Sequence, residues 1–234
     1  MYKGKKVIAI IPARGGSKRI PQKNIIPLAG KEMIGWTIGE AKASQYIDTL
    51  LVSTDCSRVK EVALNYKADV PFMRVDAADD YAPVSEATLS ALLQAEDHYG
   101  DYDIVIQLMA NCPLRKVEDI DKGIECFFEK NQESQISFFK FGWMNPWWAH
   151  TINDGVPSAL FKQVGQKRSQ DLEELYCPTG AIWICHTEVL KKYKTFYTPN
   201  YSAQEIDWVS AMDIDDYRDL EMAKALFKIR EGII

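Results

Sequence analysis

The sequence predicts an α/β fold with three layers, a mostly parallel sheet covered on both faces by helices. Continuous apolar runs of the kind found in buried parallel strands alternate with stretches of helical period, and the connections between them are a few residues long. The chain has 234 residues, 47% of them hydrophobic. That is enough to bury one large core with a small appendage, so a single domain over 1–234 is expected.

The first element is "VIAII" (Val7 to Ile11), an apolar run that feeds directly into a glycine loop. "MIGWTIGEAKAS" follows with Ile34, Ile38 and Ala41 at helical spacing. "TLLVSTD" (Thr49 to Asp55) reads as a second buried strand, and a helix after it takes Ser57 as its cap and Val59, Val62 and Ala63 as its apolar face. "VPFM" reads as a short third strand, "VSEATLSALLQAEDHY" as a long amphipathic helix, and "DIVIQLM" as a strand. "KVEDIDKGIECFFEKN" gives a further helix and "QISFFKF" a further strand.

Residues 141–179 break this rhythm with aromatics, turn residues and little periodicity, which marks an excursion that covers a site, meets another subunit, or both. "GAIWIC" returns to the sheet. The last helix, "DYRDLEMAKALFKIREG", has Asp216 and Asp219 in or near its first turn, where the helix dipole favours them.

Composition excludes several classes. No stretch reaches the roughly 18 to 20 apolar residues needed to span a bilayer, and the first apolar run is too short for a secretory signal, so a cytoplasmic protein is expected. The five cysteines form no C-x-x-C pair and read as free thiols, and the three histidines lie far apart with no H-E-x-x-H arrangement.

Charge is more informative. Residues 1–31 carry eight basic side chains and no acidic one, whereas the remaining 203 residues hold 20 basic and 33 acidic groups. A local anion site fits this asymmetry. An extended nucleic-acid surface does not, since the chain is acidic outside one patch.

The patch centres on "IIPARGGSKRIPQKN", residues 10–24. Glycines after a strand let backbone N–H groups approach phosphate oxygens, and cations neutralise them. The spacing G-x-x-x-x-G-K-[ST] is absent, because Gly16 is followed by Ser17 and Lys18, and G-x-G-x-x-G is absent too. Arg14 before the glycines, with Lys18 and Lys23 five apart after them, can place charge on several sides of a triphosphate. In "MDIDD", Asp213 and Asp215 lie two apart, so in an extended segment both carboxylates point one way and reach one Mg²⁺.

"IPARGGSKRIPQKNI" resembles the N-terminal signature of the acylneuraminate cytidylyltransferases, the CMP-sialic acid synthetase group, which includes pseudaminic and legionaminic acid cytidylyltransferases. "LLVSTD", "PLR" (113–115), "RSQDLEELY" (168–176), "TGAIWI" (179–184) and "MDIDDYRDLEMAKAL" (212–226) follow in that family's order. The resemblance implies a Rossmann-like three-layer αβα nucleotidyltransferase fold. It also implies transfer of a cytidylyl group from CTP to the anomeric hydroxyl of a sugar acid, with release of pyrophosphate.

It assigns the triphosphate to Arg14, Gly15, Gly16, Ser17, Lys18, Lys23 and Asn24, and gives Arg14, Lys18 and Asp213 catalytic roles. Arg74 and Ser85 would contact the base, with Asp76, Asp79 and Asp80 as the alternative partners of Arg74. Asp213 and Asp215 would bind Mg²⁺, while Gln107, Asn111, Arg115, Arg168 and Gln170 would meet the sugar acid. A homodimer is implied, in which the 141–179 excursion of one subunit completes its partner's site. Alternatives are the same chemistry on a 3-deoxy-octulosonate or with another nucleotide, and a non-catalytic nucleotide-binding relative.

Three positions depart from the family pattern. Met109 stands where a glutamine is usual, Thr179 replaces an asparagine before Gly180, and Trp147 and Trp148 occupy a place where sialic acid enzymes often have lysine. Tryptophan in place of a cation supplies an apolar wall and points to a substrate other than plain N-acetylneuraminate, a relative with altered or deoxygenated side-chain groups; the alternative is that the two tryptophans are dimer-interface core.

Overall fold

The computed structural model describes residues 1–75, 83–164, 167–230 and 232. In chain order the elements are β1 (Val7–Pro12), β2 (Pro27–Leu28), β3 (Lys31–Glu32), α1 (Met33–Ala43), β4 (Thr49–Ser53), α2 (Ser57–Asn65), α3 (Val84–Tyr99), β5 (Ile104–Gln107) and α4 (Val117–Lys130). They continue with β6 (Ser134–Lys140), β7 (His150–Asn153), β8 (Val156–Ala159), β9 (Tyr176–His186), α5 (Thr187–Tyr193), β10 (Tyr201–Glu205), α6 (Trp208–Ala211) and α7 (Tyr217–Arg230).

The central sheet has the order β10-β6-β9-β5-β1-β4. β4, β1, β5, β6 and β10 run in one direction and β9 runs against its two neighbours, so the sheet is mostly parallel, as the alternation predicts.

β1 shows why a continuous apolar run was needed. Val7, Ala9 and Ile11 pack on one face with Ile34 and Ile38 of α1, Val59 and Ala63 of α2, and Ile120 and Ile124 of α4. Ile8 and Ile10 face the other side against Leu92 and Ala95 of α3 and Leu190 of α5. All five residues are fully buried, and each larger side chain contributes about 1.5 to 3 kcal/mol to the fold. A third cluster joins Ile20 and Leu28 to Leu114, Ile214 and Phe227, which ties α7 to the segment after β1.

Two local expectations are corrected. "VPFM" forms no strand: a single bridge from Asp69 to Leu51 is all that pairs there. Pro71, next to Val70, has no N–H to donate to a ladder. Ser57 is the first residue inside α2 and not its cap; Cys56 is the flanking residue and makes no side-chain cap bond.

At α7 the reading holds. Asp216 accepts from the N–H groups of Arg218 and Asp219, and Asp219 accepts from those of Asp215 and Asp216, a reciprocal cap that satisfies the helix's first donors.

The excursion carries its own hairpin. β7 and β8 pair across Asp154 and Gly155, both at positive φ, the geometry of a tight two-residue turn. Regular pairing resumes at Tyr176, where β9 meets Lys140 of β6. Among the described residues no helix is long and apolar enough to cross a membrane.

Candidate active site

β4, β1 and β5 are neighbours, and the loops beyond their carboxyl ends converge, which is where ligands bind in such sheets. They enclose a cavity of about 510 Å³ lined among others by Arg14, Ser17, Lys18, Lys23, Arg74 and Asp213. Pockets of about 300 to 1,000 Å³ suit a nucleotide-sized ligand.

The loop after β1 is tied down at several points. The N–H of Ala13 donates to Ser53 O, and that of Gly15 donates to Asp55 Oδ1 at 2.7 Å. Cys56 packs so close to Gly15 that a Cβ there would lie 2.5 Å from the cysteine Cβ, which explains the glycine. Asn24 donates to Arg14 O at 2.9 Å and so fixes the strand-to-loop corner from the far end. Gly16, Ser17 and Lys18 line the cavity, while Gly15 stays behind them as the anchor.

Opposite lies the segment before α7. Ile214 donates its N–H to Asn111 O at 2.8 Å, and Asn111 returns its amide to Ile214 O at 3.2 Å. Asp213 and Asp215 both face the cavity. Asp213 is wetted by the cavity yet crowded by protein, and that crowding, reinforced by Asp215, raises its carboxyl above the usual range. Asp215 behaves oppositely. Burial would raise it, but Lys23 and Arg19 together hold it below the usual range. Lys23 Nζ lies 2.8 Å from Oδ1 and Arg19 Nη2 2.7 Å from Oδ2.

Arg74 is 6% exposed and lines the same cavity, with no partner for its Nε. Burial pushes its guanidinium below the ordinary value, Asp55 opposes this, and Arg14 adds to it. Asp76, Asp79 and Asp80 lie outside the described residues.

The remaining expected contacts are placed differently. Ser85 is buried in the first turn of α3 and does not line the cavity, whereas its neighbours Val84 and Ala87 do. Gln107 is fully buried behind Met109, accepting from Thr88 Oγ1 at 2.6 Å. Arg115 is also fully buried, donating to Ala181 O at 2.6 Å, so it braces the loop 108–115 from beneath. Thr179 is an internal brace as well, bonded to Ala211 O at 2.8 Å. Arg168 and Gln170 are exposed and absent from this cavity's wall, and Arg168 grips Asp171 at 2.8 Å. Trp147 packs on Phe161 and donates to Glu173 O, while Trp148 is half exposed.

Met109 does reach the wall, and Gly180 makes room for it: a Cβ at Gly180 would come 2.7 Å from Met109 Cγ. Arg19, also on the wall, was not singled out from sequence. Its signal was its place among the eight cations of residues 1–31, but its carboxylate partner lies 196 residues away.

A family model described as cytidylyltransferase matches residues 8–228. The chain belongs to this family. The cytidylyltransferase is 33% identical over 226 residues to the pseudaminic acid cytidylyltransferase of Campylobacter jejuni, covering 96% of this chain and 97% of that one. It is 30% identical over 238 residues to the CMP-N,N'-diacetyllegionaminic acid synthase of Legionella pneumophila, covering 97% and 98%.

Among solved structures it matches a CMP:2-keto-3-deoxy-manno-octonic acid synthetase complexed with CTP, at a TM-score of 0.72 and 17% identity, over 96% of this chain and 99% of that one. At that identity the likeness concerns the fold. The cytidylyltransferase is therefore a nucleotidyltransferase on the α/β architecture with a mostly parallel central sheet.

Proposed function

We propose that this cytidylyltransferase transfers the cytidylyl group of CTP to the C2 hydroxyl of a sialic-acid-like nine-carbon ulosonic acid, releasing pyrophosphate. One observation carries the reading: a loop of cations and the Asp213/Asp215 pair face each other across one cavity at the strand ends. The C2 oxygen attacks the α-phosphorus in line and its proton passes to water, while the bond to the bridging oxygen breaks and that electron pair leaves with pyrophosphate. Arg14, Lys18 and Lys23 would hold the triphosphate and offset the charge that builds on the leaving group, work that depends on positioning and electrostatics. Arg74 would meet the cytosine end.

Mg²⁺ suits the acidic pair. Asp213 and Asp215 present two hard oxygen donors on one cavity wall. That matches a cation which takes one or two carboxylates and completes its shell with phosphate oxygens and water. Asp213 and Asp215 would hold it, and bound Mg²⁺ would act as Lewis acid and template. A cytoplasmic location goes with this reading, because the donor nucleotide is there.

Met109 on the cavity wall favours an acceptor with an apolar or amido substituent in place of a hydroxyl. The relative named for pseudaminic acid, at 33% identity, agrees with this choice. A CTP-dependent pyrophosphate-release assay comparing pseudaminic and N,N'-diacetyllegionaminic acid with N-acetylneuraminate and 3-deoxy-octulosonate tests it. One of the first two acids should give the highest kcat/KM; equal turnover of N-acetylneuraminate, or preference for the octulosonate, counts against it.

The excursion is proposed to dimerise. Trp143 is 88% exposed and Ile152 71%, with Met144, Val156 and Leu160 also exposed on the same stretch. An apolar surface of this kind marks an interaction site. Arg168 and Gln170, absent from their own chain's cavity wall, would serve the partner's acceptor site. Sedimentation equilibrium should return twice the chain mass of 26.6 kDa; a monomer throughout would remove this proposal.

A further inference from the structure

Both carboxylate oxygens of Asp215 are engaged by cations: Oδ2 by Arg19 at 2.7 Å and Oδ1 by Lys23 at 2.8 Å. A third donor, Asn111 Nδ2, stands 3.5 Å from Oδ1. The backbone of Asp215 is pinned as well, through its N–H to Asp219 Oδ2 in the cap of α7. Asp215 therefore gains a free oxygen through movement of the cations and not of its own main chain. Arg19 has a 63% exposed side chain on a long flexible stem, so it can move; Lys23 is more enclosed at 16%. Both line the cavity assigned to the triphosphate, together with Arg14 and Lys18.

We infer that Arg19 and Lys23 are placeholders for the divalent cation, holding Asp215 in its ligating position while the cavity is empty and passing to the phosphates when nucleotide arrives. The inference rests on the reading of Asp213 and Asp215 as the metal pair. Two cations on one carboxylate repel a third charge of the same sign, so the empty protein has low affinity for Mg²⁺. A triphosphate offers these two side chains several charged oxygens and brings its own negative charge, which converts the pair of aspartates into an open site.

Nucleotide and metal are then coupled through the same two residues. By linkage each raises the other's affinity by the same factor, expected at about tenfold or more, within the usual range for coupled sites. Arg19 gains a role as a positioning residue that neither the loop pattern nor its sequence neighbours indicate.

Mn²⁺ in place of Mg²⁺, followed by water-proton relaxation enhancement on the full chain without sugar acid, separates protein-bound ion from ion held by CTP alone. The wild type should bind Mn²⁺ weakly alone and about tenfold more tightly with CTP. R19Q/K23Q should bind Mn²⁺ alone about tenfold more tightly than wild type and lose most of the coupling. R19Q alone, at an exposed position that leaves the fold intact, should move the same way by less.

Equal Mn²⁺ affinity of the wild type with and without CTP, or no gain in either variant, overturns the placeholder role and leaves the metal pair standing. An Mn²⁺ site that persists in D213N/D215N overturns the metal reading itself, and this inference with it.

Discussion

Asp213→Asn is expected to lower the rate of pyrophosphate release by at least about 100-fold, the scale seen when one preorganised charge is removed from a transition state. The side chain keeps its shape and loses its charge, so the change isolates electrostatics from packing. The segment around it is held by bonds that do not involve its carboxylate, Ile214 to Asn111 and Asp215 to Asp219. Asp213 also repels Asp215, which contributes to its raised carboxyl. A neutral amide relieves that repulsion, so the thermal midpoint should hold or rise while activity collapses. Steady-state rates beside a melting curve read both, and an unchanged rate would sink the role given to Asp213.

Arg74→Met should weaken CTP binding by about 30-fold or more, since truncating a buried charged donor costs about 2 kcal/mol or more. The empty protein should lose little stability and can gain some. A guanidinium 6% exposed with an unpartnered Nε is costly to keep dry, and an apolar side chain of similar length removes that cost. The backbone bond from Arg74 N to Thr54 O survives the change. Calorimetric CTP titration and the shift in melting point on adding CTP should fall together. An unaltered dissociation constant would make Arg74 a structural residue and return the base contact to other groups.

The fold was legible where burial is two-sided. β1, β4 and β5 read as apolar runs because helices cover both faces, and α3 appears with the bounds its pattern predicts, Val84–Tyr99. β10 was not legible: "YSAQE" lies at the sheet's edge, only Gln204 of its five residues is buried, and no apolar pattern is required of it. "VPFM" misled because apolar character survives where pairing does not.

In the site, the cationic loop and the two aspartates could be read from residue type and spacing. Which expected contacts face inward could not. Gln107 and Arg115 are polar residues at strand and loop positions that look functional, yet their partners are Thr88 and the carbonyl of Ala181, set by tertiary packing. The tie from Arg19 to Asp215 spans most of the chain, and no local pattern encodes it.

The central claim is direct transfer of the cytidylyl group from CTP to a nonulosonic acid. Phosphorus NMR of the full chain with CTP, Mg²⁺ and the preferred acid follows donor and both products at once. One CMP-sugar phosphodiester and one pyrophosphate are expected for each CTP consumed, with no pyrophosphate when the acid is left out. Pyrophosphate appearing without the acid, or CTP persisting beside every nonulosonic acid tried, would contradict direct transfer.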